Sequence, residues 1–289
     1  MTRRASTVIA LCCAVAGVAL TGCEEAPPAA SDQGSFTGMT KIDVDGRAVN
    51  VSCSGNAVED RPVTVLLHGG GDGLEKLARL QETLGGQERV CSYDRLGAGL
   101  SDQPAGPQTM ESTGKVLTAV IDRFAGDAPV VLAGHSLGGL IAARYAPDHQ
   151  DRVVGLVLMD ATSPTQGADL AKEVPPTATG MAAELRDQTV AVLQGQNPEK
   201  LAMPDEEVRS AGDIPVAVIQ HGKPYLTAVP EYGPGLERAW AEGQQKWLAV
   251  SSSSTLSTAA NSEHYIYLDE PEVAVQEIKR VVGEAAESL

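Results

Sequence analysis

Aromatic side chains are scarce in this sequence: two phenylalanines, two tryptophans and six tyrosines, 3% of 289 residues. A core must therefore be built from aliphatic side chains, and at 43% hydrophobic residues there is enough Val, Leu, Ile and Ala to build one. Basic residues are also few, 22 against 38 acidic, for a formal charge of −16. That balance speaks against nucleic acid and anionic membrane surfaces as partners, because both repel a negative protein. No apolar run reaches the roughly 20 residues of a membrane-spanning helix; residues 8–20 fall short. Internal repeats and long charge runs are absent too. The length suits one large α/β domain or two small ones.

What is present begins with the N-terminus. Arg3 and Arg4 precede the apolar run 8–20, and Leu20-Thr21-Gly22-Cys23 follows it. A basic start, a short apolar stretch and small residues before a cleavage point make residues 1–22 a signal peptide. The tetrapeptide resembles the lipobox of bacterial lipoproteins. The resemblance implies cleavage before Cys23 and a diacylglyceryl group on its thiol, which would anchor the protein to the outer face of a bacterial membrane through lipid alone. An ordinary secretory signal with an incidental cysteine is the alternative. Residues 23–36, rich in Pro, Ala, Ser and acid, read as a flexible tether. Residues 1–22 hold two arginines and no acid, so the exported chain carries −18. Cys12 and Cys13 leave with the signal, and Cys23 is lipidated. Cys53 and Cys91 remain, an even number in an oxidising compartment, either bridged or buried as free thiols.

Over residues 37–289 strand-like and helix-like stretches alternate, which implies a mostly parallel sheet covered on both faces. Residues 39–44 and 47–53 flank Asp45-Gly46 as a hairpin. Strands are expected at 63–67, 89–93, 130–133, 153–159 and 215–219, and near Thr255. Helices are expected at 74–84, 109–125, 136–145, 234–249 and 271–287. Residues 161–213 break the rhythm with five prolines between short helical patches, and read as a lid inserted over a site.

Gly134-His135-Ser136-Leu137-Gly138 sits between an apolar strand and a helix. There a G-x-S-x-G makes a strained turn that lifts the Ser136 hydroxyl to the top of a sheet, at a helix N-terminus that favours developing negative charge. An oxyanion needs two backbone N–H donors. Leu137, just after the serine, is one; the loop His68-Gly69-Gly70-Gly71 offers the other, Gly70 first and Gly69 next. A serine also needs a base. Of the five histidines, His68 lies in the glycine loop, His135 inside the turn, and His149 at the opposite end of the sheet. His264, before the closing helix, is the candidate base; His221 reads as a pocket or surface residue.

LLHGGG, YDRLGAGLSD, GHSLGG, RVVGLVLMD and EHYIYLDEPE occur in an order and spacing that resemble the α/β-hydrolase family over residues 37–289. The resemblance implies an α/β-hydrolase fold and a chain order of Ser, acid, His. The family places its acid after the strand at 215–219 or the preceding one. After Ile219 no acid occurs until Glu231, whereas Asp160 directly follows Met159, so Asp160 is the expected acid and Glu231 the alternative. Glu263 departs from the family's glycine before the histidine. The resemblance also makes the strands bearing Cys53 and Cys91 neighbours, which favours a disulfide. The expected chemistry is hydrolysis of a small-molecule carboxylic ester or related acyl bond by Ser136, His264 and Asp160, without cofactor or metal. Peptidase, amidase or lactonase activity on the same triad, and a non-catalytic binding protein of this fold, are the alternatives. The oligomeric state is not encoded legibly.

Overall fold

The structure, a computed structural model, describes residues 36–289. The expected signal peptide, the expected lipidation site Cys23 and the expected tether up to residue 35 lie outside the described residues. Phe36, read as the end of the tether, is docked: its ring lies 6.0 Å from that of Phe124, and its carbonyl accepts a hydrogen bond from Arg89 at 2.7 Å.

The fold starts with a hairpin of β1 (Gly38–Val44) and β2 (Arg47–Ser54). Its turn residues Asp45 and Gly46 have φ of 52° and 75°, as a type I′ turn requires. β3 (Val63–Leu67) leads through a 3₁₀ turn at Leu74–Leu77 into α1 (Ala78–Gly85). One continuous helix was expected there; the Asp94 carboxylate takes the Leu74 N–H at 2.7 Å and pins a tighter first turn. β4 (Val90–Tyr93) and α2 (Met110–Ala125) follow. Thr109 and Ser112 cap α2 reciprocally, each hydroxyl accepting the other's backbone N–H. Next come β5 (Val130–His135), α3 (Leu137–Tyr145), β6 (Val153–Met159), α4 (Gln166–Glu173) and α5 (Gly180–Leu193). The chain closes with β7 (Val216–His221), α6 (Gly233–Lys246), β8 (Ser254–Ala259), α7 (Ile266–Asp269) and α8 (Pro271–Ala286).

The strands form one sheet in the order β1-β2-β4-β3-β5-β6-β7-β8, antiparallel at β1–β2 and β2–β4 and parallel elsewhere. Strand alternation divides the aliphatic residues between two cores. Val65, Leu132, Leu158 and Val218 pack on one face with α2 and α3; Leu66, Val131, Val157 and Ala217 pack on the other with α1 and α8. Both faces are covered, which is why these strands read as unbroken apolar runs. Cys53 and Cys91 are register partners on β2 and β4 and form a disulfide, their Cα atoms 4.1 Å apart.

Residues 161–213 add a small apolar roof, with Leu170, Val174, Ala178 and Ala182 at its centre. It is not made by that insertion alone. Leu226, Val229, Tyr232 and Leu236, all after β7, complete it, because α4 and α5 are too short to bury their own apolar faces.

Candidate active site

The parallel strands end at one edge of the sheet, and the register puts those ends level. His135 pairs with Met159, and Met159 with Ile219. The residues that follow, Ser136 and Asp160, are therefore neighbours, with His221 beside them.

Ser136 joins β5 to α3 with φ 51° and ψ −118°, a conformation that L-residues rarely adopt. The turn is tight enough that a Cβ on Gly134 would lie 2.4 Å from the Gly138 carbonyl, and one on Gly138 2.3 Å from the Leu67 oxygen. Only glycine fits both places, which is the physical content of the motif. The turn is locked by backbone bonds: the Ser136 N–H donates to Met159, and the Ser136 carbonyl accepts from Gly139, Leu140 and Thr162. The Ser136 hydroxyl lies 3.5 Å from the Thr162 hydroxyl. It makes no hydrogen bond to His264 in this structure, and such contacts tighten when substrate binds.

Asp160 ends β6, fully buried, with φ 45°. Its Oδ2 accepts the Nδ1–H of His264 at 2.7 Å. That bond fixes the His264 tautomer and leaves Nε2 as a proton acceptor. Asp160 also accepts from Trp240 Nε1 at 2.9 Å, and from the main chain and ring of His221 at 3.2 and 2.9 Å. Burial alone would raise this carboxyl; the hydrogen bonds from His221 and His264 outweigh it and hold the pKa at about 2. Glu231, the alternative acid, is exposed in the turn before α6 and bonds to none of these groups. The end of β6 lies beside β5, whereas the prolines around Glu231 carry it into the edge of the roof.

His221, expected as a pocket or surface residue, lines a small cleft and is also tied into the site. Besides Asp160, it contacts Glu237 of α6, with Nε2 2.9 Å from Oε2. His135 likewise does more than fill the turn. Its Nε2–H donates to the His264 carbonyl at 2.9 Å and so tethers the loop after β8. Burial first, and the adjacent His264 ring second, drive its pKa down to about 3, so it stays a neutral tether. Neither role was legible, because each partner is distant in sequence and belongs to no motif.

Gly70 and Leu137 both line the cavity beside Ser136. The Leu137 N–H opens α3 and has no partner within the helix. Behind the glycine loop, buried Arg95 donates to the carbonyls of His68 and Gly69 at 2.7 and 2.9 Å, and His68 Nδ1–H also donates to the Gly69 carbonyl at 2.7 Å. In a trans peptide the C=O and the next N–H point in opposite directions. Holding the Gly69 carbonyl toward Arg95 thus turns the Gly70 N–H away from it. Arg95 is in turn gripped by Glu199 of the insertion through two bonds of 2.7 and 2.8 Å.

The cavity at Ser136 has a volume of about 280 Å³. Leu170, Leu185, Leu193, Met203, Leu236 and Trp240 give it a mainly apolar wall, which Thr162, Gln166, Asp169 and Thr189 interrupt. It suits an apolar group next to the Ser136 hydroxyl. Among the described residues no group of His, Cys, Asp and Glu is placed to hold a metal ion, and no helix is long and apolar enough to cross a membrane.

Comparison with known proteins agrees with this architecture. Residues 62–196 match the family described as the alpha/beta hydrolase fold. A (lyso)-N-acylphosphatidylethanolamine lipase from Bos taurus is 30% identical over 148 residues, 49% of this chain and 43% of that protein. Lipase LipV from Mycobacterium tuberculosis is 38% identical over 79 residues, 27% of this chain and 30% of that protein. The chain thus spans less than half the length of the curated relatives it matches. Among solved structures, a membrane phospholipase A superposes with a TM-score of 0.61 at 18% identity, covering 86% of both chains. A thermophilic esterase from Thermogutta terrifontis does so with 0.59 at 19%, covering 86% of this chain and 99% of the other.

Proposed function

We propose that this chain, which has the α/β-hydrolase fold, is a serine hydrolase that cleaves carboxylic esters with an apolar acyl group. The observation that carries the reading is the meeting at one sheet edge of Ser136 in the wall of an apolar cavity and His264 bonded to buried Asp160 at 2.7 Å. In this reading His264 Nε2 takes the Ser136 proton as the hydroxyl oxygen attacks the acyl carbonyl. The amides of Leu137 and Gly70 receive the oxyanion, and Asp160 stabilises the imidazolium. His264 then protonates the leaving alcohol, and water attacks the acyl-enzyme by the same route. The mainly apolar wall supports an ester of a hydrophobic acid over a charged peptide, because Asp169, the one ionisable side chain in its lining, is already paired with Lys246.

Activity against p-nitrophenyl esters of increasing acyl length, with fluorophosphonate labelling, tests this. Ser136→Ala should abolish both. A wild-type protein that neither labels nor turns over would leave a binding protein of this fold instead. Turnover confined to lactones or amides would keep the triad and replace the ester.

Membrane attachment through Cys23 is part of the same proposal. It is supported by the lipobox-like sequence and by the paired Cys53 and Cys91, which fit an oxidising compartment. Cys23→Ser should move the protein from the membrane to the soluble fraction; a variant that stays with the membrane refutes the anchor.

A further inference from the structure

His221 takes no part in the proposed chemistry, yet it is held more firmly than His264. Its main-chain N–H and its Nδ1–H both reach Asp160, and its Nε2 reaches Glu237. Glu237 is fixed in turn by the Leu226 N–H, which donates to its other oxygen. A neutral imidazole carries one N–H and one lone pair. Between two ionised carboxylates, that lone pair would face an oxygen lone pair. The geometry therefore fits the imidazolium, with an N–H at each end. The His221 side chain is 7% exposed and that of Glu237 14%, so neither is well screened by water. Burial pushes the His221 pKa down, and hydrogen bonds and charge from Asp160 and Glu237 outweigh it, so the net shift is upward.

The other groups around this pair do not compete for it. Arg238 of α6 lines the same small cleft but approaches Glu173, at 3.9 Å. Tyr225, in the loop after β7, lies 4.9 Å from the His221 ring; burial first, and the nearby carboxylates second, push its hydroxyl far up, so it stays neutral. Lys223 in that loop acts on Glu270. His264 meets His221 only through the shared Asp160.

We infer that His221, held as the imidazolium by Glu237, is a positioning residue for Asp160, its fixed positive charge keeping the carboxylate ionised and aimed at His264 and setting the pH range of activity. The inference rests on reading Ser136, His264 and Asp160 as a triad. His221 keeps both ring protons through the cycle, and only His264 gains and loses one. A second cation on Asp160 shares with His264 the one carboxylate that both rings meet, so removing its charge should be read in the acid limb of the activity profile. When alkali removes the His221 proton, Glu237 and Asp160 repel through a neutral ring, and activity falls again.

The test is the pH profile, from pH 5 to 10, of kcat/KM and of the rate of Ser136 labelling by a fluorophosphonate. The proteins compared are the wild type, His221→Asn and Glu237→Gln. Asparagine keeps a neutral donor near the Nδ1 position and removes the charge. It should raise the acid limb by about one pH unit and lower kcat about tenfold with little change in KM. Glu237→Gln removes one of the two carboxylates that hold the His221 proton, so the alkaline limb should move down by about one unit with the acid limb in place. If His221→Asn does not fold, Glu237→Gln alone decides. Variant profiles that superimpose on the wild type overturn the inference and leave the triad standing. Wild-type protein that never labels overturns the triad reading itself.

Discussion

Asp160 accepts hydrogen bonds from His264, Trp240 and two donors of His221, and it sits in a left-handed conformation at the end of a buried strand. A backbone held in so sparsely populated a region costs about 1–3 kcal/mol, and the surrounding bonds must over-determine it. The Asp160 N–H helps do so, donating to the Ile219 carbonyl at 2.7 Å. Asp160→Asn keeps the shape but puts an amide where the His264 Nδ1–H needs an acceptor. It should lower kcat by roughly 10³–10⁴-fold, and the melting temperature should fall as well, because His221 loses one of its two buried carboxylates. Glu231→Gln should leave kcat unchanged. Steady-state kinetics on the two variants check this, and the reverse pattern would move the acid to Glu231. The candidate serine and candidate base stood out in local sequence because a strained turn and a pre-helical loop impose local composition. The choice between Asp160 and Glu231 was narrowed only by spacing, since a carboxylate after a strand has no signature of its own.

Among the elements, the inserted segment does more than roof the cavity. Glu199 reaches beneath the glycine loop to Arg95, and Gln108 holds the Glu199 carbonyl at 2.6 Å, so the insertion, the loop after β4 and the loop after β3 are tied at one point. Both partners are at least 96% buried, and a buried pair that loses one member leaves an uncompensated charge. Glu199→Gln keeps a hydrogen-bond acceptor and releases one grip on the guanidinium, which loosens the peptide that aims the Gly70 N–H. It should lower kcat about 10–100-fold with KM nearly unchanged, since that donor matters most to the oxyanion. Equal losses in kcat/KM arising from KM alone would place Glu199 in substrate binding instead. The sequence marked 161–213 as irregular through its prolines, but contained no sign that one of its glutamates turns inward.

For the whole molecule, the hairpin β1–β2 hangs on the sheet's edge through β4, and the disulfide joins β2 to β4 across a register pair. The closed loop spans 38 residues, which on chain-entropy grounds is worth about 3–4 kcal/mol. Cys53→Ser with Cys91→Ser should therefore lower the melting temperature clearly while the activity at 25 °C persists, because the bridge lies near the start of β4, away from the Ser136 edge. Thermal melts with and without reductant read this directly; identical melts would assign stability to packing alone.

The sequence by itself determined the α/β alternation, the strand that delivers Ser136, the pairing of the two cysteines' strands through family resemblance, and the candidate base. Apart from the strand pairing, which only the resemblance implied, these features follow from local patterns: a period of two or 3.6, an unbroken apolar run, a glycine forced by a close approach. Tertiary structure decided which carboxylate meets His264, that His221 bridges two carboxylates, that His135 tethers the loop carrying His264, and that Arg95 and Glu199 orient the glycine loop. Each depends on strand order and register, which bring together side chains from 16 to 129 positions apart in the chain. A buried polar group gains its role from its partners, and partners at that separation leave no pattern in the residues on either side of it.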